Sequence, residues 1–319
     1  MKAIRLALAA MAALCVANAA TAAEKSVAIT QIVEHPALDA CRKGVKDVLA
    51  ENGFVEGQNL EWSFESAQGN MAIAAQIAKK FVGDEPDVIV AIATPSAQAV
   101  AASTDTIPVV FSAVTDPVAA KLVPNWEHPG GNVTGTSDMA PVDKHLQMIL
   151  RISPNVKKLG VMYNPGEVNS VSSLEAVKKA AGPLGIEVFE GPAPKSSEVL
   201  AAARGLVGKV DAFYVPTDNT VVSAFEAVVK VGIDSQIPVY AADTDSVNRG
   251  AIAALGFNYY QVGRQTGEMV LSILNGEKPG DIPVSGVKTL DLWVNPASAE
   301  KMGVTLPEGI VKEAAKVVE

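Results

Sequence analysis

Asp87-Val-Ile-Val-Ala-Ile-Ala-Thr94 decides the fold, because the chain returns to it as Asp211-Ala-Phe-Tyr-Val-Pro-Thr217. Each stretch is an acid, a short unbroken apolar run, and then a hydroxyl at a turn. An apolar run of this length, bounded by turn residues, suits a strand buried on both faces, as in a parallel sheet. Further echoes follow in the same order. Ile107-Pro108-Val109 returns as Ile237-Pro238-Val239, and Thr115-Asp116 returns as Thr244-Asp245. Single dipeptide matches are common, but a shared order is not. It points to two successive copies of one α/β unit.

Working outward, strand and helix patterns alternate. The first unit reads as strand Val27–Val33, helix Leu38–Glu51, strand Asn59–Glu65, helix Met71–Val82, strand Asp87–Ala93, helix Ser96–Ser103 and strand Ile107–Ala113. Gly130-Gly131-Asn132 then turns into a strand at Val133–Thr136. The second unit reads as strand Lys158–Tyr163, helix Ser172–Ala181, strand Ile186–Glu190, helix Glu198–Val207, strand Asp211–Val215, helix Val221–Val231 and strand Ile237–Ala241. A tail follows with Ala251–Leu255, a helix at Gln261–Leu274, Thr289–Val294 and a terminal helix at Ile310–Val318. That is too little for a third domain, so the tail is expected to return to each lobe in turn. The division is then 24–139 plus 250–286 for lobe 1 and 140–249 plus 287–319 for lobe 2. The fold class is α/β, two doubly wound Rossmann-like lobes joined by a multi-crossover hinge.

The N-terminus sets the compartment. Lys2 and Arg5 precede an apolar run from Leu6 to Ala20, and Ala20-Thr21-Ala22-Ala23 supplies small residues before Glu24. This is the pattern of a signal peptide over residues 1–23, cleaved near Ala23, and it places the mature chain in the periplasm. The run is too short for a membrane span, which needs about 20 apolar residues. Cys15 raises the alternative of lipidation, but Leu14 stands where a small residue is wanted. Cleavage removes two bases and no acid, leaving 24 Lys and Arg against 35 Asp and Glu. An acidic chain of this kind argues against nucleic acid as a partner. Only Cys41 survives cleavage, so no internal disulfide forms, and Cys41 reads as a small core residue.

Ligands of open parallel α/β sheets bind beyond the carboxyl ends of the strands. In the first lobe those positions hold Gln31, His35, Gln68, Thr94, Ser96, Thr115 and Asp116; in the second they hold Asn164, Glu167, Asn169, Ser170, Thr217, Asp218 and Asp243. Ser, Thr, Asp and Asn before a helix are also ordinary caps worth about 1 kcal/mol each, and their convergence at one edge from both lobes is what exceeds that role. Almost no Lys or Arg joins them, which disfavours multiply anionic ligands. A zwitterion fits better: helix-start N–H groups and hydroxyls hold a carboxylate, and Glu167, Asp116, Asp218 or Asp243 neutralises an ammonium. His35, His128 and His145 show no metal-ligand spacing, and no nucleophile elbow, Walker loop or dinucleotide fingerprint follows a strand. No catalytic residue, metal or cofactor is expected.

Several segments carry a resemblance. They are His35-Pro36-Ala37-Leu38-Asp39, Glu56-Gly57-Gln58-Asn59, Ala67-Gln68-Gly69-Asn70, Ala93-Thr94-Pro95-Ser96-Ala97-Gln98, and Val114-Thr115-Asp116-Pro117 at the end of the run from Ile107. Further along the chain they are Gly131-Asn132-Val133-Thr134-Gly135, Tyr163-Asn164-Pro165-Gly166-Glu167-Val168-Asn169-Ser170 and Gly250-Ala251-Ile252-Ala253. The chain resembles the ABC-transporter substrate-binding proteins of the tryptophan/tyrosine-type family, over its whole mature length. The resemblance implies the type I periplasmic binding fold, capture of a small ligand, often an aromatic amino acid, by hinge closure, and delivery to an ABC permease by a monomer. It places Gln68, Thr94, Thr115 and Asp116 on one wall, with Asn164, Glu167, Asn169, Ser170 and Asp218 facing them. Gly166 departs from the serine expected in relatives. Another small polar solute, such as a nucleoside or sugar, and a secreted hydrolase using the same cleft remain as alternatives.

Overall fold

The computed structural model describes residues 24–287 and 289–318; the expected signal peptide lies outside them. The first lobe runs β1 (Lys25–Gln31), α1 (Pro36–Glu51), β2 (Leu60–Ser66), α2 (Met71–Asp84), β3 (Val88–Ile92), α3 (Thr94–Ala101), β4 (Val109–Ser112) and β5 (Val133–Ser137). The second runs α4 (Val142–Ile152), β6 (Lys158–Tyr163), α5 (Val168–Ala181), β7 (Glu187–Pro192), α6 (Val199–Gly205), β8 (Ala212–Val215), α7 (Asn219–Ser223), α8 (Phe225–Ser235), β9 (Val239–Ala241), α9 (Asp245–Asn248) and β10 (Ala253–Gly256). The tail supplies α10 (Tyr259–Leu274), β11 (Ser285–Gly286), β12 (Asp291–Val294), α11 (Pro296–Lys301), α12 (Glu308–Glu313) and β13 (Lys316–Val317).

Two sheets result, in the orders β11-β5-β4-β3-β1-β2 and β13-β12-β10-β9-β8-β6-β7. All described pairings are parallel except β10 with β12. The duplicated stretch becomes β3 and β8, whose residues are all buried, as strands covered by helices on both faces must be. The Ile-Pro-Val echo has a matching geometry. The Pro108 carbonyl accepts from Ile89 N at 2.9 Å, and the Pro238 carbonyl accepts from Phe213 N at 2.8 Å. Proline is tolerated there because it precedes the strand, where its missing N–H breaks no ladder bond. Each sheet has its own hydrophobic core.

The chain passes between the two sheets three times, after β5, after β10 and after β11. The sequence places residues 250–286 in lobe 1. The ladder corrects this, because β10 pairs with β9 and β12 in the second sheet and the crossing falls after Gly256. The helix expected at Ile310–Val318 also differs. It stops at Glu313, and β-branched Val317 and Val318 extend the sheet instead, with Val318 N donating to Val294 O at 2.8 Å. The single helix expected at Val221–Val231 is broken at Ala224, which has φ −118° and ψ 31°. Helices α4 and α11 had no counterpart in that reading.

The tail is fixed to lobe 1 by close packing of α10 on α1. A Cβ at Gly263 would lie 2.0 Å from the Cys41 carbonyl oxygen, and one at Gly44 would lie 2.3 Å from that of Tyr260. Only glycine permits this approach. Cys41 sits in the seam, fully buried, with its thiol pushed up to about 12 chiefly by burial, as an inert core residue. The seam sets where α1 and α10 begin, and both begin at the cleft.

Candidate functional site

The lobes wall a cavity at the carboxyl ends of both sheets. From lobe 1 come His35, Ala37 and Leu38 at the start of α1, Ala113 and Thr115 after β4, Asp138 after β5, and Tyr259 opening α10. From lobe 2 come Asn169 on α5, Thr217, Asp218, Asn219 and Val222 at β8–α7, and Asp243 after β9. Thr115 Oγ1 and Thr217 Oγ1 approach to 3.2 Å across the cleft, so the lobes meet.

Three buried aspartates face this cavity, and among the described residues no Lys or Arg lines it. Burial pushes the carboxyls of Asp138, Asp218 and Asp243 upward, and the neighbouring Glu167 adds to the effect on Asp218. Burial also holds His35 down, at about 3, with Arg249 contributing, so its ring is neutral at neutral pH. The site is therefore a place where negative charge is poorly solvated and cationic charge is wanted.

Unpartnered polar atoms mark the same edge. Thr94 Oγ1, Ser96 Oγ, His35 Nδ1 and Asn169 Oδ1 are buried without a hydrogen-bond partner, whereas over 90% or so of such groups in native proteins are paired. Backbone strain clusters there too. Gln68 (φ 52°), Ala93 (φ 73°) and Ala113 (φ 55°) follow β2, β3 and β4 in the left-handed half of conformational space. Such residues cost about 1–3 kcal/mol each and gather at functional sites.

Of the residues expected from sequence, His35, Thr115, Asn169, Thr217, Asp218 and Asp243 line the cavity. Thr94 and Ser96 lie in the first turn of α3, buried. Asn164, Glu167 and Ser170 build a hydrogen-bonded layer behind Thr217–Asn219. Glu167 accepts from Thr220 Oγ1 (2.7 Å), Asn219 Nδ2 (2.5 Å), Asn164 Nδ2 (3.1 Å) and Asn169 Nδ2 (3.4 Å). Gln68 and Glu167 border a larger opening between the lobes. Two expected residues are placed otherwise. Gln31 turns to Val33 O (2.8 Å), Asp39 Oδ1 (2.9 Å) and Arg42 Nη1 (3.0 Å), bracing the start of α1. Asp116 caps a turn, accepting from Ala119 N at 2.9 Å, and borders a separate groove.

Asp138 and Tyr259 were missed. Both obey the rule that found the others, since they follow β5 and β10, but the sequence reading applied it to neither strand. Tyr259 supplies the cavity with an aromatic ring that none of the three tryptophans provides.

A sequence model of the ABC transporter substrate binding proteins matches residues 26–318. The chain belongs to that family. Among relatives of this substrate-binding protein, a Clostridioides difficile tyrosine-binding protein is 43% identical over 272 residues, 85% of this chain and 79% of that one. A Streptococcus pneumonia ABC domain solved with L-Trp is 36% identical, covers 93% of this chain and 100% of that one, and superimposes with a TM-score of 0.90. A ligand-free, open substrate-binding protein with adhesive properties from Clostridium difficile is 44% identical over 92% and 99% of the two chains, yet its TM-score is 0.70. The better sequence match is the poorer superposition. In this structure the Thr115–Thr217 contact spans the cleft.

Proposed function

We propose that this substrate-binding protein captures an apolar or aromatic amino acid between its lobes by hinge closure and presents it to an ABC permease. The observation that carries the reading is a cavity between the lobes lined by three aspartates and, among the described residues, no cationic side chain. A ligand ammonium relieves the poorly solvated negative charge there. Free N–H groups at the start of α1 and the unpartnered hydroxyls of α3 suit its carboxylate. Leu38, Val222 and Tyr259 offer apolar surface for its side chain. The relatives named for tyrosine and solved with L-Trp support the same class of cargo.

Binding without turnover is the consistent reading of the histidines. His35 is held neutral, His145 is buried with Nδ1 2.7 Å from Tyr214 OH, and His128 is exposed. The leader over residues 1–23, cut near Ala23, then delivers a monomer to the periplasm.

Native mass spectrometry and titration calorimetry test the cargo. One aromatic amino acid bound per chain, with a Kd near ~1 μM or about −8 kcal/mol, is expected. Heat from a nucleoside or a sugar, with none from any amino acid, refutes the assignment.

A further inference from the structure

Two of the three cavity aspartates are committed to backbone. Asp218 accepts from Val221 N (2.7 Å) and Asn164 N (2.6 Å) as well as Ser170 Oγ (2.5 Å). Asp243 accepts from Ser246 N (2.8 Å) and Ser246 Oγ (2.6 Å), capping α9. Asp138 differs. Its side chain accepts from two hydroxyls, Thr115 Oγ1 to Oδ1 at 2.9 Å and Tyr259 OH to Oδ2 at 2.8 Å. Each carboxylate oxygen has about two acceptor directions, so both keep capacity for another donor.

Its position is also particular. Asp138 is 3% exposed and begins the first crossover between the lobes, while Tyr259 follows the second crossover directly. Thr115 has one proton and donates it to Asp138, so Thr217 is the donor in the 3.2 Å contact across the cleft. The hydroxyl protons thus run from lobe 2 through Thr115 toward one carboxylate, an arrangement in which each bond polarises the next.

We propose that Asp138 receives the ligand's ammonium and, through Tyr259 and Thr115, ties that contact to two hinge crossovers and to the opposite lobe. The inference rests on the amino-acid reading above and names the residue that distinguishes an amino acid from its des-amino analogue. A carboxylate that only stapled the hinge would have no bearing on that distinction.

The test pairs whichever of L-tryptophan and L-tyrosine binds with its des-amino acid, 3-indolepropionate or 3-(4-hydroxyphenyl)propionate, by calorimetry on wild type and Asp138→Asn. Asparagine keeps the shape and one acceptor oxygen. Wild type is expected to prefer the amino acid by ~100-fold; in Asp138→Asn its affinity falls ~30-fold and the preference shrinks to a few-fold, as when a buried charge pair loses one partner. Tyr259→Phe keeps the carboxylate. It is expected to retain the preference while binding ~5-fold more weakly, and to show a larger radius of gyration by solution scattering at equal ligand occupancy. An undiminished preference in Asp138→Asn overturns the inference alone. Should Asp138→Asn not fold, wild-type affinity and closure in both Tyr259→Phe and Thr115→Val overturn it. No heat from wild type with any amino acid removes the amino-acid reading, and the inference with it.

Discussion

Replacing Asp218 separates a cap from a ligand contact. Its carboxylate is 1% exposed and serves three donors on three segments: Val221 N in the first turn of α7, Asn164 N after β6, and Ser170 Oγ on α5. In Asp218→Ala the N-cap is lost, at about 1 kcal/mol, and the Asn164 N–H is left buried without an acceptor, at about 1–3 kcal/mol. Relief of the repulsion with Glu167, which helps push the Asp218 carboxyl upward, offsets part of this. A net loss of about 3 kcal/mol remains, which at about 2–4 °C per kcal/mol for a domain of 150–250 residues is a drop of ~6–12 °C in Tm. Asp218→Asn keeps the cap but sets an amide NH2 against the Asn164 N–H, so it should fall between Ala and wild type. Calorimetric melting without ligand at neutral pH reads both. A Tm for Asp218→Ala within about 1 °C of wild type, together with a large loss of ligand affinity, would refute the cap assignment and make Asp218 the ammonium partner.

Other perturbations test the frame around the site. Gly263→Ala places a methyl group 2.0 Å from the Cys41 carbonyl oxygen, so it should lift α10 from α1 and cost about 3 kcal/mol in urea unfolding. Gly83→Ala near the end of α2, where a Cβ meets nothing within 4 Å, should instead be neutral or stabilising by about 0.5–1 kcal/mol. His35 is the N-cap of α1 without a side-chain cap bond, and burial lowers its pKa from 6.5 to about 3. A folded-state pKa below the unfolded one means that stability is full above pH 6.5 and falls as pH drops toward 3. By pH 5 that loss is about 2 kcal/mol. His35→Asn removes it and supplies a better cap, so its gain in Tm should be larger at pH 5 than at pH 8; equal gains at both would contradict the assignment.

The fold was legible because its signal is repetitive and local. Buried parallel strands write themselves as apolar runs, and the Pro108 and Pro238 carbonyls occupy equivalent places in the two ladders. What was not legible depended on partners distant in sequence. Whether Ala253–Gly256 belongs to lobe 1 or lobe 2 is decided by β9 and β12, not by its own residues. Lys316–Val317 is a strand because β12 offers it an edge. At the site, hydroxyls and acids after strands could be found by rule, but whether each faces the cavity turns on one competing contact. Gln31 is drawn away by Arg42 and Asp39, and Asp116 by the N–H groups of its own turn.

The two walls of the cleft are built on different principles. Lobe 2 presents a network that is largely satisfied within itself: Glu167 has four donors, Asp218 three, and Asp243 two. Lobe 1 presents three strained non-glycine residues after successive strands, together with the unpartnered Thr94, Ser96 and His35. A satisfied wall is rigid and gains little by rearranging. A wall with unmet hydrogen-bond capacity and stored strain is one whose energy is completed from outside the chain. Asp138 belongs to that second wall, at the point where it becomes hinge. Charge neutralised there acts on the crossover itself, so the residue that selects the ligand is also the one placed to register its arrival.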